Sequence, residues 1–130
     1  MSYNMKMDIQ DWQKKIYESN KAKGFWDEDR NVGEMLMLVT SELGEAIEAH
    51  RKERFADMED FSIRGIDRSC TEDFVHDFEC DIKDTFEDEI ADAVIRLLDL
   101  AGGLNINLER HISLKMQYNE TRPYKHGKKY

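Results

Sequence analysis

Proline occurs once in 130 residues, at Pro123, so almost nothing along the chain interrupts a helix from within. Seven glycines are too few for the many turns of a strand-rich fold, and the composition predicts an all-α protein. Only two cysteines are present, Cys70 and Cys80, with no Cys-x-x-Cys pair and no even framework, which excludes a disulfide-stapled domain and predicts reduced thiols. With His76 they match no standard zinc spacing. No run approaches the roughly 20 apolar residues of a membrane span, and MSYNMKMDIQDW has no secretory apolar region. The expectation is a cytoplasmic protein with no membrane contact. Positive charge is also short: the formal net charge is −9, which argues against binding a nucleic-acid polymer.

What is present is acid, unevenly placed. Glu53 to Lys83 holds ten acidic and four basic residues, a net of −6. The last nine residues, RPYKHGKKY, carry Arg122, Lys125, Lys128 and Lys129 without an acid, a local home for a small anion. The length suits one domain with a real core, read as residues 1–130 with an acidic insertion at about 53–83.

Helical periodicity organises the chain. Asp8 caps a first helix to about Lys21, with Ile9, Trp12 and Ile16 on one side. Asn31 and Glu34 approximate a capping box for a second, from Val32 to about Ala49, ending near Arg51 to Arg54. Phe55 to Ser69 has no clean period and reads as an irregular acidic connection. From Phe74 an apolar residue recurs every fourth position to Leu98, a spacing that drifts around a straight helix, so either one long helix buries different faces or a break falls near Asp84 and Thr85. Gly102 and Gly103 stop that helix after Ala101, and Asn107 caps a last helix through Asn119, ended by Pro123. The total is a four- to five-helix bundle.

One residue is out of place in this pattern. Val32, Met35, Leu36, Leu38, Val39, Leu43, Ala46, Ile47 and Ala49 form one apolar arc, and Glu42 falls inside it with Glu45 at its edge. A carboxylate there costs several kcal/mol unless it is neutralised, paired or bound to a cation. On the later helix Glu89, Asp92, Arg96 and Asp99 form a polar stripe beside the apolar side. Glu42 with Glu45, and Glu89 with Asp92, are therefore two i,i+3 acidic pairs whose convergence would demand a cation. A single such pair is ordinarily a solvated face; two pairs with one glutamate in an apolar arc point to a metal site. No Glu-x-x-His motif of the iron and manganese bundles occurs, and all-oxygen ligation favours Mg²⁺, with Mn²⁺ as the alternative. Magnesium completes its shell with water and phosphates, which suggests phosphoryl chemistry. Trp26, in GFWDED, is a candidate to stack on a nucleobase or, alternatively, to close the bundle.

EMLMLVTSELGEAIEAHRK, FEDEIADAVIRLLDLAGGLNI and KMQYNETRPYKHGKK together resemble the MazG-like family of all-α nucleoside triphosphate pyrophosphohydrolases. The likeness covers residues 24–51 and 84–129, and joins the ExxE of Glu42 and Glu45 to the ExxD of Glu89 and Asp92, with Lys115 and Asn119 downstream in order. It implies a homodimer or homotetramer, Mg²⁺ held by the four carboxylates, and hydrolysis of a nucleoside triphosphate, deoxy and unusual-base forms included, to monophosphate and pyrophosphate. Lys115, Asn119 and Arg122 would contact the triphosphate; Lys125 is added from its charge and position. The chain departs from the family pattern in the 43 residues between the acidic pairs, about twice the usual number. Two other readings stand beside this one: a catalytically silent helical oligomer that binds nucleotides or a partner protein, and a phosphoribosyl-ATP pyrophosphohydrolase.

Overall fold

The structure, a computed structural model, describes residues 6–129. Part of the N-terminal stretch that was read for a leader, Met1 to Met5, lies outside them. All regular structure among the described residues is helical: α1 (Ile9–Ala22), α2 (Val32–Arg51), α3 (Met58–Arg64), α4 (Thr71–Asp81), α5 (Phe86–Gly103) and α6 (Leu108–Glu120), with 3-10 turns at Gly65–Asp67 and Tyr124–Gly127. No helix is long and apolar enough to cross a membrane. The chain divides into two compact units, one of residues up to Asp29 and from Leu98 onward, the other Arg30–Leu97.

In the first unit α1 opens with a reciprocal cap: the Asp8 carboxylate accepts from the Asp11 amide at 2.8 Å, and the Asp11 carboxylate from the Asp8 amide at 3.1 Å. Gln13 donates from Nε2 to the Ile106 carbonyl at 2.7 Å, tying α1 to the turn before α6. Leu98, Leu100 and Ala101 are buried. Gly102 and Gly103 do not stop α5, as expected from the sequence, but form its last residues and act through their missing side chains. A methyl group on Gly102 would stand 2.6 Å from Tyr17 Cβ, and one on Gly103 would fall on the Trp26 ring. Trp26 meets Tyr17 edge-on at 5.4 Å and donates from Nε1 to buried Asp99 at 2.9 Å. Asn107 caps α6, accepting from the Arg110 amide at 3.1 Å.

In the second unit only part of the α2 arc is covered. Met35, Val39, Ala46 and Ala49 are buried, while Leu36, Leu43 and Ile47 remain exposed. Ala93 of α5 is buried as well.

The segment after α2 is where the sequence reading fails. Residues 58–64 are a helix, not an irregular connection, and α4 begins at Thr71, which makes six α-helices among the described residues where four or five were expected. Asp57 caps α3 by accepting from the Asp60 amide at 2.9 Å. Arg68 then holds α3 to α4: its guanidinium lies 4.2 Å from the Phe61 ring centroid and 5.6 Å from that of Phe74, and donates to Asp77 and to the Phe61 carbonyl, both at 3.2 Å. The break foreseen near Asp84 is present. Asp84 takes a positive φ of 61°, and Thr85 caps α5 by accepting from the Asp88 amide at 3.4 Å. The ends of the excursion meet, because the Phe86 amide donates to the Arg54 carbonyl and the Asp57 amide to the Asp81 carbonyl, each at 2.9 Å. His50, Phe55 and Phe86 close this base with edge-to-face contacts at 5.1 to 6.1 Å.

Candidate metal centre

Glu42, in the middle of α2, and Glu89 and Asp92, one turn apart near the start of α5, each present a carboxylate oxygen within 4.8 Å of the other two. The helical register explains their meeting. Glu89 and Asp92 are three apart and share a face, and the small residues Ala46 and Ala93 are buried beside this line on their helices.

The most buried of the three is Glu89, which is 4% exposed. Its Oε2 is enclosed without a hydrogen-bond partner among the described residues. Burial, followed by the neighbouring carboxyl of Glu42 and the charge of Glu45, raises its pKa to about 8. Asp92 is raised to about 6, first by burial and then by Asp88 and Glu42, with Arg96 opposing. These shifts share one physical origin: negative charge concentrated in a dry place favours the proton.

Glu42 is not the uncompensated charge that the apolar arc suggested. Arg96 Nε donates to its Oε1 at 2.8 Å. Glu42's side chain is 12% exposed and that of Arg96 38%, so the pair is shielded on one side only. Arg96 was visible in the sequence as a member of the α5 stripe, four residues after Asp92 and hence on its face; its ionic role was not assigned.

Glu45 is exposed and stands outside the three-residue group, although its charge is felt at Glu89. The remaining candidates belong to the other unit. Lys115 is exposed, with its ammonium 5.0 Å from the Tyr118 ring centroid, and Arg122 lies 5.8 Å from the same ring while donating to the His126 carbonyl at 3.1 Å. Asn119 has a buried Oδ1 without a hydrogen-bond partner among the described residues. Lys125 approaches only its neighbour Tyr124, at 5.9 Å. Trp26 is half-buried against Tyr17 and Gly103, the bundle-closing role weighed beside base stacking.

Three carboxylates and no nitrogen or sulfur donor make an all-oxygen set suited to a hard divalent cation. The orphaned Glu89 oxygen fits such an ion: a cation would satisfy it and remove the repulsion that now favours its proton. No family model, curated protein or solved structure matches the chain.

Proposed function

We propose that the protein is a Mg²⁺-dependent nucleoside triphosphate pyrophosphohydrolase of MazG-like type, working as a homo-oligomer. The observation that carries the reading is Glu89, buried with an unsatisfied oxygen and within 4.8 Å of carboxylate oxygens of Glu42 and Asp92. A lone acidic pair on a helix needs no ligand. A carboxyl that folding has placed out of water beside two others, with one oxygen unsatisfied, calls for a proton or a cation.

Glu42, Glu89 and Asp92 would hold the ion, with Glu45 within electrostatic range. Bound Mg²⁺ would supply charge neutralisation for a polyphosphate and Lewis acidity toward an attacking water. Arg96 holds the Glu42 carboxylate through Oε1, so this donor group is oriented before an ion arrives. Glu89 and Asp92, which hold protons more readily than ordinary carboxyls, would release them on taking up a cation. Lys115 and Asn119 keep the phosphate-contact roles that the resemblance implies, and Arg122 and Lys125 those drawn from their charge and position, to be tested one substitution at a time.

A panel of ribo- and deoxynucleoside triphosphates, incubated with Mg²⁺ or with EDTA, tests the reading by product identification. The expected result is pyrophosphate and monophosphate from at least one triphosphate, only with the metal. Glu42→Gln should abolish turnover. A variant within about threefold of wild type, under ~0.7 kcal/mol of transition-state stabilisation, removes Glu42 from the site, and no turnover of any triphosphate removes the reading.

A further inference from the structure

The helix α4 belongs to the stretch that departs from the pattern of the resemblance, and it faces a feature the hydrolytic chemistry does not use. A cavity of about 390 Å³ lies between α4 and the start of α5, lined by Phe74, Val75, Phe78 and Glu79 of α4 and, after it, by Lys83, Asp84, Asp88 and Asp92. Asp92 is common to this cavity and to the carboxylate group. The two are therefore contiguous.

We propose that this cavity is the nucleoside subsite of the enzyme, with the base against Phe74 and Phe78 while the polyphosphate extends past Asp92; the proposal rests on the pyrophosphohydrolase reading above. Four observations carry it. The volume falls in the range of small-molecule sites. The wall is aromatic and is available: Phe74 is 45% exposed, and its ring and that of Phe78 are 6.0 Å apart and inclined at 33°, a surface on which a planar base can lie. The wall is also held in place, because the Arg68 guanidinium at 5.6 Å and the edge of Phe61 at 6.1 Å brace Phe74 within the hairpin. Finally, Lys83 supplies a cation in a lining otherwise charged only by carboxylates, where it can meet the phosphate or a base carbonyl.

A substrate lying this way spans two structures with separate tasks. α2 and α5 hold the cation and the reacting phosphate, and α4 reads what is attached to it. Base preference then belongs to the insertion.

The test uses the full chain and two variants. Phe74→Leu keeps the apolar volume and removes the aromatic face; Val75→Trp, at a position 45% exposed, fills the cavity without removing a buried group. Both should raise KM for the preferred nucleoside triphosphate about tenfold or more, the scale of a lost base–aromatic contact. Inhibition by inorganic tripolyphosphate, which has no base, should stay within twofold. A parallel measurement needs neither metal nor turnover: ligand-observed magnetic resonance with the corresponding nucleoside should show saturation transfer from wild type and its loss in Val75→Trp. Unchanged KM in both variants overturns the subsite, and so does equal loss of tripolyphosphate inhibition, which would mark general damage. Should wild type hydrolyse no triphosphate, the enzymatic reading falls, and the nucleoside measurement still decides the cavity, since transfer that survives Val75→Trp overturns it.

Discussion

Glu89 is a carboxylic acid that folding keeps from water, and its proton couples stability to pH. Between its ordinary value of 4.5 and the raised value of about 8, the folded protein holds a proton that the unfolded chain would release. Stability from this group is complete below pH 4.5 and is lost as pH rises through about 8; Asp92 does the same between 3.8 and about 6. In EDTA, thermal melts of wild type relative to Glu89→Gln should show a difference that worsens from pH 5 to pH 8.5. Saturating Mg²⁺, competing with the proton, should stabilise wild type more at pH 8.5 than at pH 5.5, and a pH-independent difference would contradict this account. Arg96 gives a second residue-scale expectation. Arg96→Met leaves Glu42 among carboxylates without its cation, and the partly exposed pair should cost about 1 to 2 kcal/mol in EDTA, with at least half regained on adding Mg²⁺. An unchanged melting temperature would show that the ion pair contributes nothing. The sequence made the acidic pairs legible because helical spacing alone assembles them. It did not reveal which carboxylate is deepest, since that depends on how α2 and α5 rotate against each other; Glu42 attracted attention on the wheel, whereas Glu89 is the buried one.

At the scale of elements, the boundaries marked by side-chain caps were readable: Asp8, Asn31 and Asn107 each accept from an amide three residues on, a local event that needs no tertiary partner. The hairpin α3–α4 was not. α3 is only seven residues, two turns, too short for an apolar period to repeat, and its anchor, the stacking of Arg68 on Phe61, comes from a residue that lies outside any helix. The glycines at the end of α5 were misread for a related reason, because a glycine that ends a helix and one that admits a neighbour look alike in a sequence. Here the neighbour decides. Gly103→Ala would drive a methyl group into the Trp26 ring, whose Nε1 is tied to Asp99, so the ring cannot retreat without giving up that bond. Destabilisation of about 2 kcal/mol or more by denaturant titration is expected, in the upper range of overpacked cores, with a change in the fluorescence of half-buried Trp26. A loss under about 0.5 kcal/mol would show that α1 and the Trp26 loop yield freely.

For the whole molecule, the amount of apolar surface is the dominant fact. Leu36, Met37, Leu43 and Ile47 of α2 and Ile90, Val94, Ile95 and Leu97 of α5 are all at least 40% exposed in a single chain, more than a monomer ordinarily leaves in water. Leu36, Leu43 and Ile47 are the uncovered part of the α2 arc, and with the α5 residues they support the proposed homo-oligomer: sedimentation at micromolar concentration should give at least twice 15.4 kDa. A sharp 15.4 kDa boundary would refute it. The all-α class was legible from composition, whereas oligomeric state was not, because a periodic apolar face looks the same whether its cover is the same chain or another. The closed base of the hairpin has a separate consequence. Since the chain leaves at Arg54 and returns at Phe86 to a point one hydrogen bond away, residues between them can be lengthened, shortened or exchanged without displacing Glu42 or Glu89. Each doubling of such an excursion adds only ~0.6 kcal/mol of closure entropy. Descendants of this sequence are thus free to diversify the excursion while the carboxylates stay fixed, and on the proposed reading substrate range would evolve at little risk to the chemistry.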